Sequence, residues 1–203
     1  AEESVQLFTP SYRLAVYSSV SGVFGLPTND ILQSVSDAVL NSGLYASTVD
    51  LSLPSGWREL TPTDLSLPAS AVDSWRHYII TSPITGDTLS GPQAKILGEY
   101  DAQGNLTRVA VSFTGTNSLV DIPDYFQLNT GELAPNMEPL LAAVRDFVVA
   151  HGLTGEDVII TGYSLGGGIT NLMAASRDSL AGGFFSNANY VGCASPLVCD
   201  DPG

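Results

Sequence analysis

Residues 158–168 read Val-Ile-Ile-Thr-Gly-Tyr-Ser-Leu-Gly-Gly-Gly, and this stretch constrains the fold more than any other part of the chain. Four β-favouring residues run into a Gly-x-Ser-x-Gly turn, and a helix-like pattern follows at once. Because Gly162 and Gly166 carry no Cβ, a strand and a helix can approach closely around Ser164. The pattern therefore predicts a nucleophile elbow with Ser164 as the catalytic residue and the helix N-terminus aimed at the developing oxyanion. The simpler alternative is a glycine-rich strand–helix loop with a chance serine.

Length and composition indicate one domain, which we expect to span residues 1–203. With 44% hydrophobic residues the chain can bury a core, and no apolar run approaches the ~18 residues of a membrane span. The net charge of −14, from 7 Lys+Arg and 21 Asp+Glu, argues against nucleic acid and anionic membrane surfaces as partners. The acidic, lysine-poor composition favours a secreted protein.

Hydrophobic periodicity divides the chain into alternating strands and helices. Strands are predicted at 78–81, 94–100, 106–113, 158–161 and 189–194, and helices at 28–43, 137–150 and 169–180. Residues 5–20 predict only a strand or a short helix, and residues 121–135 a polar connection. The alternation predicts an α/β fold with a mostly parallel sheet flanked by helices. Its site should lie at the carboxyl ends of the strands, where Ser164 sits.

Three stretches together resemble a known family: residues 96–116, residues 151–167, and residues 188–196. They are similar to the catalytic domain of bacterial family I.3 lipases, the secreted lipase/polyurethanase group, and more loosely to class 3 triacylglycerol lipases. The resemblance is good over residues 94–198 and weak before them. It implies an α/β-hydrolase fold and a secreted serine carboxylic-ester hydrolase acting on lipid or other acyl esters, with phospholipase A1 activity in the same chemical class.

The resemblance also implies an oxyanion hole formed by the backbone of Thr116 and Leu165. The loop after the strand at 106–113 lies beside the elbow strand, so two N–H donors can meet there. This sequence departs from the family at Tyr163, where histidine is usual, and at Thr114, where arginine is more common. Both substitutions keep the backbone donors, so they bear on substrate preference more than on the chemistry.

No cofactor is required for this chemistry, although the family resemblance suggests a bound calcium ion. Asp121 and Asp124 lie in the region where the family holds a lid calcium, but the segment is much shorter here, which favours solvated loop carboxylates. The only cysteines are Cys193 and Cys199. They either close a short disulfide loop in an oxidising compartment or remain two thiols.

The expected acid and base of a catalytic triad are missing. Both histidines, His77 and His151, precede Ser164, whereas the triad order places histidine last. His151 lies about 16 Å from the elbow at the usual strand rise and is expected to cap a helix. Asp200 and Asp201 come too early for the acid that the family resemblance implies, which follows the next strand, and they are expected to continue a loop.

We therefore expect the chain to be the N-terminal portion of a catalytic domain whose acid and base lie beyond residue 203. A second chain or fragment can also supply them. Two alternatives remain: a catalytically inert hydrolase fold that serves in binding, or a phospholipase with a Ser-Asp dyad. A phospholipase with such a dyad is expected to have a glycine-rich loop near the N-terminus and a downstream Asp-Gly pair, and the sequence shows neither.

Overall fold

The computed structural model describes residues 10–18, 52–81, 92–114, 130–163 and 165–193. Within these residues a six-stranded sheet carries helices on both faces. The strands are β1 (Trp57–Glu59), β2 (Tyr78–Ile79), β3 (Gln93–Tyr100), β4 (Leu106–Thr114), β5 (Val158–Tyr163) and β6 (Asn189–Cys193). The helices are residues 10–18 (α1), Thr130–Ala150 (α2) and Leu165–Ser176 (α3). The helix predicted at 28–43 lies outside the described residues.

The sheet has the order β1-β3-β4-β5-β6, with β2 also pairing with β3, and it is mixed. Strands β4, β5 and β6 are parallel, as predicted, whereas every pair that involves β3 is antiparallel. The prediction of a mostly parallel sheet is thus wrong for the described residues. The physical reason is that β3 and β4 are joined by a short turn, which can connect only antiparallel neighbours.

The predicted hairpin of β3 and β4 is confirmed, and the contacts within its turn explain why the chain reverses there. The carboxylate of Asp101 accepts hydrogen bonds from the backbone N–H groups of Gln103 (2.9 Å) and Asn105 (2.8 Å). Gly104 has a φ of +83°, which a residue with a side chain rarely adopts. An aspartate that binds its own turn and a glycine in the left-handed region therefore fix the register of the two strands.

One face of the sheet is covered by α2 and α3. The buried apolar side chains shared by these helices and the strands include Val109, Val111, Phe113, Leu141, Val144, Val148, Val158, Ile160, Ile169 and Met173. The predicted apolar face of the helix at 137–150 is therefore confirmed. The helix begins earlier than predicted, at Thr130, so the end of the expected polar connection is helical. Its prolines at 135 and 139 each remove a backbone hydrogen bond and disguise the helical pattern.

The helix predicted to run through Leu180 ends sooner. Helix α3 stops at Ser176, and Leu180 belongs to a separate 3-10 turn over Leu180–Gly183. Ala181 has a φ of 47° in that turn, and its backbone N–H donates to Glu138 Oε2 of α2 at 3.2 Å. The backbone must leave the right-handed helical region to make this contact, which apolar periodicity alone does not reveal.

The opposite face of the sheet is covered by α1. Leu14 is fully buried in a small cluster with Leu97, Ala110 and Ile159 of the strands. Ser112 of β4 also donates from Oγ to the carbonyl oxygen of Leu14 at 3.3 Å. Of the two structures predicted for this segment, the short helix is therefore the one found, and polar as well as apolar contacts hold it to the sheet.

A buried group of charges lies where α1 meets β1 and β3. Lys95 is only 1% exposed, and its Nζ lies 2.8 Å from both Glu59 Oε1 and the carbonyl oxygen of Trp75. Glu59 also accepts from the Tyr17 hydroxyl at 2.7 Å and pairs with Arg76 at 3.0 Å. Burial lowers the pKa of Lys95, and the Glu59 carboxylate opposes that shift. One carboxylate thus satisfies two cations and a hydroxyl, and ties α1 to the sheet.

Candidate active site

The predicted serine turn connects the end of β5 to the start of α3. Strand β5 ends at Tyr163 and α3 begins at Leu165, while Ser164 between them lies outside the described residues. The parallel register places Phe113 opposite Gly162 on one side and Gly192 opposite it on the other. The carboxyl ends of three neighbouring strands therefore meet at this turn, which is the edge where the sequence predicts the site.

The two glycines of the motif are required by close backbone approach. A Cβ built on Gly162 would overlap the backbone of Gly166, and a Cβ on Gly166 would overlap the carbonyl oxygen of Phe113. Any side chain at either position would push α3 away from the ends of β4 and β5. The absence of a Cβ at both positions therefore allows α3 to pack closely against the strand ends, and the role of the two glycines in a nucleophile elbow stays a prediction.

Two further glycines, which the sequence reasoning left without a role, complete this packing. A Cβ on Gly167 would lie 2.8 Å from the carbonyl oxygen of Cys193, at the end of β6. A Cβ on Gly192 would lie 2.9 Å from Oδ1 of Asn171 in α3. For Gly167 the sequence signal is the run of three glycines at 166–168, since Gly166 approaches β4 and Gly167 approaches β6.

The predicted oxyanion donors are placed only in part. Leu165 is the first residue of α3, and the N–H groups of a helix's first turn have no partner within the helix. Thr116 lies outside the described residues. Strand β4, which precedes it in the chain, ends at Thr114. The buried hydroxyl of Thr114 donates a hydrogen bond to the carbonyl oxygen of Gln93 at 3.2 Å, which fixes the end of the strand. The pairing of Thr116 with Leu165 stays a prediction.

His151 caps helix α2, as predicted. Its Nδ1 lies 2.8 Å from the carbonyl oxygen of Phe147, and because a carbonyl can only accept, Nδ1 carries the proton. The imidazole also lies against the Phe147 ring, with ring centroids 4.3 Å apart. This histidine is therefore committed to the end of α2, at the amino end of β5.

His77 is fully buried beneath α1. Its Nδ1 lies 3.3 Å from Asp73 Oδ2, and it makes a further hydrogen bond with the backbone of Ser18. Burial, and then the Lys95 ammonium, lower the pKa of His77 below its ordinary value. His77 thus links the end of α1 to the loop before β2. Both histidines of the chain are engaged in structural hydrogen bonds.

The lowered pKa of His77 predicts a loss of stability in mild acid. The unfolded chain takes up a proton near pH 6.5 while the folded chain resists it, so stability should be full above that pH and fall below it. As the pH falls below about 6.5, we expect the unfolding free energy to decrease by at most about 1.4 kcal/mol per pH unit, measured by urea unfolding. His77→Gln should flatten this slope, whereas the exposed control His151→Gln should keep it. An unchanged slope in His77→Gln would contradict the assignment.

Among the residues that the structure describes, no three His, Cys, Asp or Glu side chains come together as metal ligands. Asp121, Asp124, Asp200 and Asp201 lie outside that part of the chain. Cys193 is buried at the end of β6, but Cys199 is not described, so their disulfide stays a prediction. None of the described helices is long and apolar enough to cross a membrane.

These features define a mixed α/β protein with a glycine-lined serine turn at the carboxyl edge of its parallel strands. No protein-family model matches the chain. It is similar to two lipases of Pseudomonas fluorescens, with 37% identity over 123 residues and 36% over 119. Each match covers 51% of this chain, but only 25% and 26% of the two relatives.

The chain is also similar in structure to a crystal structure of the extracellular lipase LipA from Serratia marcescens. It superposes with a TM-score of 0.73 at 26% identity, over 99% of this chain and 38% of that one. The resemblance to bacterial family I.3 lipases is therefore confirmed, and the chain spans well under half the length of these relatives.

Proposed function

We propose that this chain is part of an α/β-hydrolase that cleaves carboxylic esters through an acyl-enzyme on Ser164. The observation that carries the proposal is the contact of Gly166 with the end of β4 and of Gly162 with Gly166. This packing leaves a one-residue connection between strand and helix, at the carboxyl edge of the sheet. A serine held in such a turn is exposed to a bound ester and lies beside the first N–H groups of α3.

In the proposed reaction the Ser164 hydroxyl attacks the ester carbonyl, the alcohol leaves, and water then releases the acid. The N–H groups of Leu165 and Thr116 would donate to the tetrahedral oxyanion, and each such donor contributes about 3 kcal/mol in sites of this kind. This acyl transfer needs no cofactor. Because His77 and His151 are engaged elsewhere, we assign the base and its orienting carboxylate to residues outside 1–203, on a longer protein or a second chain.

The relatives support the substrate class and the location. They are named lipases, and the structural neighbour is an extracellular lipase, so we propose lipid or other acyl esters as substrates and a secreted protein. The net charge of −14 favours uncharged esters over anionic phospholipid surfaces, which ranks phospholipase A1 activity second.

The test is hydrolysis of a soluble p-nitrophenyl ester by the native protein. Wild type and the exposed-serine control Ser179→Ala should hydrolyse it at the same rate. Ser164→Ala should lose about 10³-fold or more in kcat, because loss of the nucleophile leaves only the binding and oxyanion terms. Equal turnover by Ser164→Ala and wild type would overturn the proposal.

A second candidate is a hydrolase fold that binds esters without turning them over. The observation that favours it is the engagement of both histidines in structural hydrogen bonds. Under this alternative, wild type and Ser164→Ala would bind an ester equally well and neither would hydrolyse it.

A further inference from the structure

Two partly exposed tyrosines form a pair at the end of β5, directly before the turn that contains Ser164. Tyr163 is the last residue of β5 and directly precedes Ser164. Its ring meets that of Tyr12 from α1 edge to face, with centroids 6.4 Å apart and planes at 76°. Tyr12 is 38% exposed and Tyr163 36%. Of the described residues, Val149 is the other exposed large apolar side chain, and it lies on α2.

The position of the pair follows from the alternation of side chains along β5. Thr161 faces α1, where its hydroxyl lies 3.4 Å from the carbonyl oxygen of Ser11, so Tyr163, two residues further on, faces α1 as well. Thr161 is fully buried, whereas Tyr163 has reached the edge of the sheet. The helix therefore extends to the level of the turn and places Tyr12 beside the residue that precedes the nucleophile.

An edge-to-face pair contributes about 0.5–1.5 kcal/mol beyond the area it buries, which favours the observed orientation of the two rings. Their exposed portions form an aromatic surface that begins one residue before Ser164 in the sequence. Single exposed apolar residues need no explanation, but a preformed aromatic surface beside a reacting group is the usual lining of a small-molecule site.

We infer that Tyr12 and Tyr163 form the wall along which the apolar chain of the ester lies while its carbonyl sits at Ser164. The inference rests on the proposed function and makes α1 a determinant of chain-length preference. The occupant is the alkyl chain of an uncharged ester, because the protein's net charge of −14 disfavours binding of a free fatty-acid anion. Ring faces and edges pack against methylene groups without a polar partner, so each methylene that reaches the wall adds to binding.

Binding of 1-O-dodecylglycerol tests the wall without any chemistry, because this alkyl ether cannot be hydrolysed. Isothermal titration should show affinity reduced about fivefold in Tyr12→Ala and in Tyr163→Ala, as expected for the loss of one face of the alkyl contact. Tyr12→Phe keeps the ring and should bind like wild type. Val149→Ala removes an exposed apolar side chain elsewhere and should also bind like wild type. Equal affinities for all variants, or an equal loss in Val149→Ala, would overturn the inference.

Ester turnover separates the inference from the proposed function. The ratio of kcat/KM for an octanoate ester to that for a butanoate ester does not depend on the fraction of folded enzyme. It should fall about fivefold in Tyr12→Ala and stay constant in Tyr12→Phe. If Tyr12→Ala hydrolyses esters with the wild-type ratio of kcat/KM values, the inference that Tyr12 contacts the alkyl chain is overturned. Binding of the ether that weakens in Tyr12→Ala, without ester turnover by wild type, would uphold the wall and contradict the proposed hydrolase.

Discussion

Gly166→Ala is expected to lower kcat/KM for ester hydrolysis by about a hundredfold or more. The added Cβ would overlap the carbonyl oxygen of Phe113, which belongs to the buried backbone of a central strand and cannot move aside. Helix α3 must therefore shift, and it would take Leu165 and the serine turn with it. Displacements of about 1 Å at a reacting group cost about 10²-fold. Overpacking should also lower the unfolding free energy by about 1–3 kcal/mol.

The matched control is Gly104→Ala in the β3–β4 turn. A Cβ on Gly104 would meet no atom within 4 Å, but its φ of +83° strains any other residue. We expect this variant to lose about 1–2 kcal/mol of stability and to keep wild-type kcat/KM. Measuring both variants by urea unfolding and ester hydrolysis separates loss of fold from loss of site geometry. Wild-type kcat/KM in Gly166→Ala would contradict the described packing of α3.

Glu59→Gln is expected to lower the unfolding free energy by about 3–5 kcal/mol. The substitution leaves the ammonium of Lys95, which is 1% exposed, with the carbonyl oxygen of Trp75 but without the carboxylate that pairs with it at 2.8 Å. Removing one member of a buried ion pair typically costs this much, because the remaining charge stays desolvated. Urea unfolding at neutral pH measures the change.

Two further variants make this prediction specific. Adding Lys95→Met to Glu59→Gln should recover most of the loss, since it removes the stranded charge. Arg58→Gln breaks the surface pair with Asp64 at 3.2 Å and should cost no more than about 1 kcal/mol. If Glu59→Gln is no more destabilising than Arg58→Gln, the buried cluster does not hold the sheet and α1 together.

Much of the fold could be predicted from local sequence. The β3–β4 hairpin has alternating strands around a turn with Asp101 and Gly104, and both elements appear as expected. The bounds of α2 and α3 were less accessible, because prolines inside α2 and the contact of Ala181 with Glu138 override the local pattern. Helix α1 has no clean apolar stripe, and its position depends on polar groups of distant residues such as Glu59.

The candidate site shows the same division. Gly162 and Gly166 follow from the motif because close approach is a local requirement of strand, turn and helix. The contacts of Gly167 with Cys193 and of Tyr12 with Tyr163 join segments far apart in sequence, so no local pattern reveals them. The structural role of His77 likewise depends on its burial beneath α1, which its immediate sequence does not indicate.

Covalent labelling by a fluorophosphonate tests the central claim, that Ser164 is an activated nucleophile, most directly. The native protein would be treated with the reagent, digested, and the modified peptide identified by mass. The account predicts a single adduct, on the peptide that contains Ser164, and its absence in Ser164→Ala but not in Ser179→Ala. No adduct on wild type, or an adduct on another serine that survives Ser164→Ala, would contradict it.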